Sequence, residues 1–140
     1  MNLGVPFAIE RRLLQGAIAV GCLVPLLAGG AGVLVGPGML HGVPDAAPAD
    51  LDSHFRYLSG LLLGIGAAFL SCIPGVERKT GRFRLLTLIV VAGGLGRLAA
   101  LLDRGAPGAE HLFGLAMELA VVPALAIWQT RIAGGKERGR

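Results

Sequence analysis

Apolar residues in this chain gather in four long blocks, at residues 13–35, 55–73, 83–102 and 111–130, all rich in Leu, Ile, Val, Ala and Gly. No charge interrupts 13–35, and none occurs between 57 and 76. At 1.5 Å per helical residue, blocks of this length match a hydrocarbon core of about 30 Å. None alternates polar and apolar over about ten residues, as a transmembrane barrel strand would. Lipid leaves a non-barrel backbone only the helix as a way to satisfy its own polar groups. The pattern therefore predicts an all-α integral membrane protein: a four-transmembrane-helix bundle forming a single membrane domain over 1–140, ending in a basic tail at 131–140. Pro37, Pro44 and Pro48 break the chain after the first block, Pro74 after the second and Pro107 before the fourth. Pro25 and Pro123 fall inside blocks and are expected to kink a helix or free a carbonyl.

Composition narrows the class. Of 140 residues, 54% are hydrophobic and only 16% charged, where a soluble domain carries about a quarter. A soluble enzyme, a disulfide-built secreted domain and a disordered tail are excluded.

The charges that remain are unevenly placed. Arg11, Arg12, Arg78, Lys79, Arg82, Arg84, Arg131, Lys136, Arg138 and Arg140 fall beside block ends on one side. The other side holds only Arg56 and Arg104, and the 36–54 loop carries Asp45, Asp50 and Asp52 without a basic residue. The positive-inside rule then puts both termini in the cytoplasm of a bacterial inner-membrane protein. The net charge of +4 follows from this bias and from contact with anionic lipid, so no nucleic-acid partner is expected. Arg11 and Arg12 before an apolar run resemble a signal peptide. The run continues well past Cys22, too long for a signal core, and a retained first helix is expected.

Several motifs lose their meaning in this setting. The glycines at 30, 32 and 36 lie within or beside a span, without the spacing or preceding strand of a dinucleotide fingerprint. Cys22 and Cys72 read as small packing residues. His41, His54 and His111 lack metal-ligand spacing, so no metal is expected. The 23 glycines suit helices that pack closely in lipid, where apolar burial does not drive association. Gly60 and Gly64 form a Gly-x-x-x-Gly pair with Ala67 and Ser71 on the same face, and Gly93, Gly94 and Gly96 cluster in the third block. These small faces are expected to pack helices within the bundle or against another membrane subunit.

Two charges sit inside blocks, Arg97 and Glu118. An Arg or Asp at the centre of a span costs about 2.5–3.5 kcal/mol on insertion scales, so such residues are paired and mark a functional hypothesis. Arg97 lies roughly 7–8 Å below the outer end of the third span, and Glu118 roughly 10 Å below that of the fourth. The short connection makes the two helices antiparallel neighbours, which predicts an Arg97–Glu118 ion pair. His111 shares a helical stripe with Gly114, Glu118, Leu125 and Gln129, while Arg56 and His54 start the second span at the same end. Arg56, Arg97, Glu118, His111 and His54 thus form a candidate ligand site, with two arginines facing one glutamate and room for an anion. Trp128 and Tyr57 read as interfacial anchors.

The run from His54 to Gly64, then Cys72-Ile73-Pro74, Phe83-Arg84-Leu85-Leu86, Gly93 to Leu98 and His111 to Leu119, resembles the bacterial family called domain of unknown function 4345. The resemblance covers about residues 11–130 and implies a four-helix inner-membrane protein without an assigned activity. In architecture alone the chain is more distantly similar to DoxX-like membrane proteins, with no residue match that carries a redox role over. Very short loops and the absence of a nucleophile–base pair point to a structural or accessory subunit of a larger membrane assembly. The alternative is a binding protein or enzyme for a lipid-soluble small molecule, a lipid or a quinone, at the Arg/Glu cluster. A transporter or proton pathway ranks third, since no internal repeat or broken-helix pair is visible. No resident cofactor is expected.

Overall fold

The computed structural model describes residues 7–44 and 46–138. Among them there is no strand, and helices account for most positions. Helix α1 spans Phe7–Val35, α2 Ala49–Leu70, α3 Thr80–Arg104, α4 Ala109–Ala116 and α5 Val122–Arg138. Short 3₁₀ turns at Pro37–Met39 and Val76–Arg78 sit in the connections, and a π turn at Met117–Val121 joins α4 to α5. Three helices among the described residues are long and apolar enough to cross a membrane: Phe7–Val35, Thr80–Arg104 and the continuous Ala109–Gly135. Large apolar side chains such as Leu88, Leu95 and Leu102 stand exposed at seven-residue spacing on α3, as befits a solvent of hydrocarbon.

The helices outrun the apolar blocks. Alpha1 begins six residues before residue 13, because Glu10 suits the positive end of a helix and Arg11 and Arg12 lie outside the apolar core. The block expected at 55–73 is a helix, but it starts at Ala49 behind Pro48, with Asp50 and Asp52 in its first turn, and ends at Leu70. Those acids, with Arg56, dilute its hydropathy, and α2 is not among the three helices that qualify by length and composition. The basic tail expected from 131 continues α5 as helix to Arg138. Arg140 and the loop residue Asp45 lie outside the described residues.

The chain divides into two compact units. Unit 1 holds residues 7–17 and 74–138, unit 2 residues 18–73. In unit 1, α3 packs against the π turn and α5, and α5 against the 3₁₀ turn at Val76–Arg78. Phe83, Leu14, Val76 and the polar Gln129 are fully buried or nearly so. The amide of Gln129 donates to the Val76 carbonyl at 2.8 Å and to the Thr80 hydroxyl at 2.9 Å. Trp128 was expected as an interfacial anchor; its indole N–H donates to Glu10 at 3.1 Å. Arg11 pairs with Glu77 at 3.0 Å.

In unit 2, α1 and α2 approach through glycines. A Cβ added at Gly29 would lie 2.6 Å from the Leu63 nitrogen and 2.8 Å from the Ser59 carbonyl oxygen. One at Gly32 would run into the Ser59 side chain, and one at Gly66 would press on Pro25 and Leu26 at 3.1–3.3 Å. The expected pair behaves differently. Gly60 would make only ordinary contact with Val33, and a Cβ at Gly64 would meet open space. In unit 1 Gly93 is likewise open, whereas a Cβ at its neighbour Gly94 would crowd Leu119 at 2.7 Å and the Glu118 Cβ at 2.9 Å. Close packing within each unit thus belongs to Gly29, Gly32, Gly66 and Gly94, not to Gly60, Gly64 or Gly93. The reason is angular: adjacent helical positions point about 100° apart, so only one of a Gly-Gly pair faces a given neighbour.

Candidate functional site

A polar group lies between the C-terminal half of α3 and the α4–π segment of unit 1. Arg97 on α3 donates from Nε to Glu118 Oε2 at 3.0 Å and from Nη2 to Glu118 Oε1 at 3.1 Å. Two parallel N–H···O bonds of this kind are the strong, directional form of an Arg–carboxylate pair. The guanidinium passes over Gly114, 3.6 Å from where a Cβ would stand. Beyond it, Nη1 lies 3.0 Å from His111 Nδ1. A guanidinium can only donate, so Nδ1 accepts and the neutral imidazole carries its proton on Nε2. That nitrogen is 3.9 Å from Glu110 Oε1.

Glu118 reaches Arg97 from the π turn. Pro123 has no N–H, and in an α-helix its ring would press on the carbonyl four residues back. The widened turn instead lets the Val122 N–H bond to the Met117 carbonyl, five residues back, just ahead of the proline. Pro123 was expected to disturb the helix; the form of the disturbance, an inserted π turn carrying Glu118, is what sequence periodicity did not convey. Pi turns recur at functional positions in helices.

A pocket of about 240 Å³ opens beside Arg97, lined by Ala100, Leu101, Arg104, Gly105, Pro107 and His111. Its α3 wall is one helical stripe: Arg97, then Ala100 and Leu101, then Arg104 seven residues on. Gly105 ends α3 at a φ of 87°, with its N–H on the Leu101 carbonyl at 3.0 Å, and turns the chain around the pocket rim. Arg104, read from sequence only as a charge at a span end, is a wall residue; the i, i+7 spacing from Arg97 is the signal that would have found it. Its pair with Asp103, at 2.8 Å, is exposed, and pairs of that kind hold weakly.

Arg56 and His54 are placed elsewhere, in unit 2. Arg56 donates to Asp52 at 2.8 Å, one turn back on α2, and to the Val33 and Leu34 carbonyls at the end of α1. It closes the α1 C-terminus, whose last carbonyls have no helical partner. Gly36 follows at a φ of 78°, and a Cβ there would also meet Asp52 Oδ1 at 2.6 Å and Arg56 Nη2 at 2.7 Å. His54 stacks obliquely on Tyr57 with ring centroids 6.5 Å apart. Within unit 1 Arg97, Glu118 and His111 come together, and within unit 2 Arg56 has its own carboxylate partner, Asp52.

A family model described as a domain of unknown function (DUF4345) matches residues 13–129. No curated protein and no solved structure matches the chain.

Proposed function

The chain belongs to the DUF4345 family, and on that premise we propose that it is a multi-pass bacterial inner-membrane protein that binds a lipid-soluble small molecule in the pocket beside Arg97. The carrying observation is that Arg97 satisfies Glu118 and His111 with three of its five N–H groups, leaving one on each terminal nitrogen beside a pocket with apolar walls. In this reading α2 is the fourth span and both termini are cytoplasmic. The support is the gathering of ten basic residues beside block ends on one side. The pocket then lies in the outer half of the membrane. Native mass spectrometry of the protein released from mild detergent tests the binding: a retained small molecule is expected, and it should be lost in Ala100→Trp, which fills the pocket from its apolar wall. Retention that Ala100→Trp does not change refutes the reading.

A second reading, an accessory subunit of a larger assembly, draws on Gly64 and Gly93, where an added Cβ would meet nothing within 4 Å among the described residues and which suit a close approach by another helix. Purification as a lone monomer or homo-oligomer would count against it.

A further inference from the structure

A titratable residue ties α4 to α3. No residue of α4 is buried, and among the described residues its side-chain hydrogen bond to α3 is the one that His111 Nδ1 accepts from Arg97 Nη1 at 3.0 Å. A guanidinium can only donate, so this bond exists only while Nδ1 carries no proton. A proton there sets N–H against N–H and one cation against another. The charges around the ring decide where it then goes. From α3 it faces Arg97, whose Nε and Nη2 donate to Glu118 on the π turn at 3.0 and 3.1 Å. Arg104, at the end of α3, shares the pocket wall and pairs with Asp103 at 2.8 Å. On α4 itself, Glu110 Oε1 lies 3.9 Å from His111 Nε2. Of these three carboxylates, Glu110 is the one that no guanidinium holds among the described residues. Arg97 and His111 both line the pocket, so the bond that protonation breaks is part of its wall.

We infer that protonation of His111 opens this wall: the neutral ring holds α4 on Arg97 and keeps a ligand in, and the imidazolium leaves Arg97 for Glu110 and lets the ligand go. This rests on the binding role proposed above and names its regulation. Arg97 keeps Glu118 in both states, so α3 and the π turn stay paired while α4 loosens. An element with few buried contacts is the kind that opens locally. Imidazole is the side chain whose charge ordinarily changes between about pH 5 and 8, so mild acid drives the change. In the orientation proposed above, that acid acts from the outer side of the membrane.

The test uses full-length protein in nanodiscs between about pH 8 and 5. Amide hydrogen exchange of α4, corrected for the intrinsic effect of pH, reads the switch. Native mass spectrometry with diacylglycerol and ubiquinone as lipid-soluble probes reads the pocket. Exchange in α4 is expected to rise about tenfold in acid, the scale of one charge-assisted hydrogen bond, and probe retention to fall in step. His111→Asn, whose carbonyl oxygen accepts from Arg97 and does not titrate, should hold both readings at their neutral values throughout. Glu110→Gln, at an exposed side chain, should move the transition to lower pH by removing the anion that draws the imidazolium away. Exchange in α4 that ignores pH, or that responds equally in His111→Asn, overturns the switch. Probe retention that ignores pH while α4 responds through His111 overturns the regulation of the ligand. A His111-dependent response of α4 with neither probe retained at any pH overturns the binding role and leaves the switch standing.

Discussion

The two units solve the same problem by different means. Apolar burial does little to hold helices together in lipid, so contacts must come from polar side chains or from close backbone approach. Unit 1 uses polar side chains: Arg97 with Glu118 and His111, Gln129 with Val76 and Thr80, Trp128 with Glu10, Arg11 with Glu77. Unit 2 relies mainly on missing side chains: Gly29 lets α1 meet the α2 backbone, Gly32 and Gly66 make room for side chains of the facing helix, and Arg56 adds bonds to carbonyls at the end of α1. Polar contacts leave directional groups to serve a ligand, whereas glycine contacts leave none. The site belongs to unit 1 for that reason.

If this contrast is right, polar deletions should hurt unit 1 and added methyl groups should hurt unit 2. The largest loss is expected for Arg97→Ala, which leaves the mostly buried Glu118 without its partner; breaking such a pair costs about 3–5 kcal/mol, read as a fall in detergent-phase melting temperature. Conservative Arg97→Lys should recover only part, since an ammonium cannot fork onto both oxygens. Next is Gly29→Ala, where the new methyl would stand 2.6 Å from backbone nitrogen; overpacking of about 1–3 kcal/mol is expected, seen as a lower midpoint in denaturant. Gln129→Leu should cost about 1–3 kcal/mol by taking the amide donor from the Thr80 hydroxyl and from the Val76 carbonyl, which keeps only the Lys79 N–H at 3.3 Å, with faster hydrogen exchange at the start of α3 as its mark. The smallest effects close the comparison. Arg56→Ala removes a partly exposed pair with Asp52 and two bonds to carbonyls at the end of α1, and should still melt closer to wild type than Arg97→Ala. Gly64→Ala and Gly93→Ala should leave the isolated chain unchanged. A Gly29→Ala protein as stable as wild type, or an Arg56→Ala protein as damaged as Arg97→Ala, would break the contrast.

Much of this was legible in the sequence. Block length and the scarcity of charge gave apolar helices, and depth from two helix ends led to Arg97 facing Glu118. Arg56 shows where such reasoning slips. Its partner, Asp52, stands four residues earlier on the same helix, a spacing that brings side chains together without any tertiary assumption, yet depth suggested a distant glutamate. Nearby partners cost less chain entropy to bring together than remote ones, and the i, i+4 carboxylate should have been weighed first. The pocket was illegible for another reason: it depends on Gly105 turning the chain at α3's end and on which stripe of α3 faces His111. The packing glycines needed a neighbour's coordinates, since Gly93 and Gly94 are identical in composition and differ only in what stands opposite.

The π turn has a rotational consequence. Positions 111 and 129 are five full turns apart in a straight α-helix and would point the same way. One extra residue in a wide turn shifts the phase between the two ends by about 100°. The turn, which itself carries Glu118, therefore works as a fixed gear between His111 above it and Gln129 below. Removing one residue, for example Ala120, should re-index the helix so that it meshes with Arg97 or with Val76 and Thr80, but no longer with both.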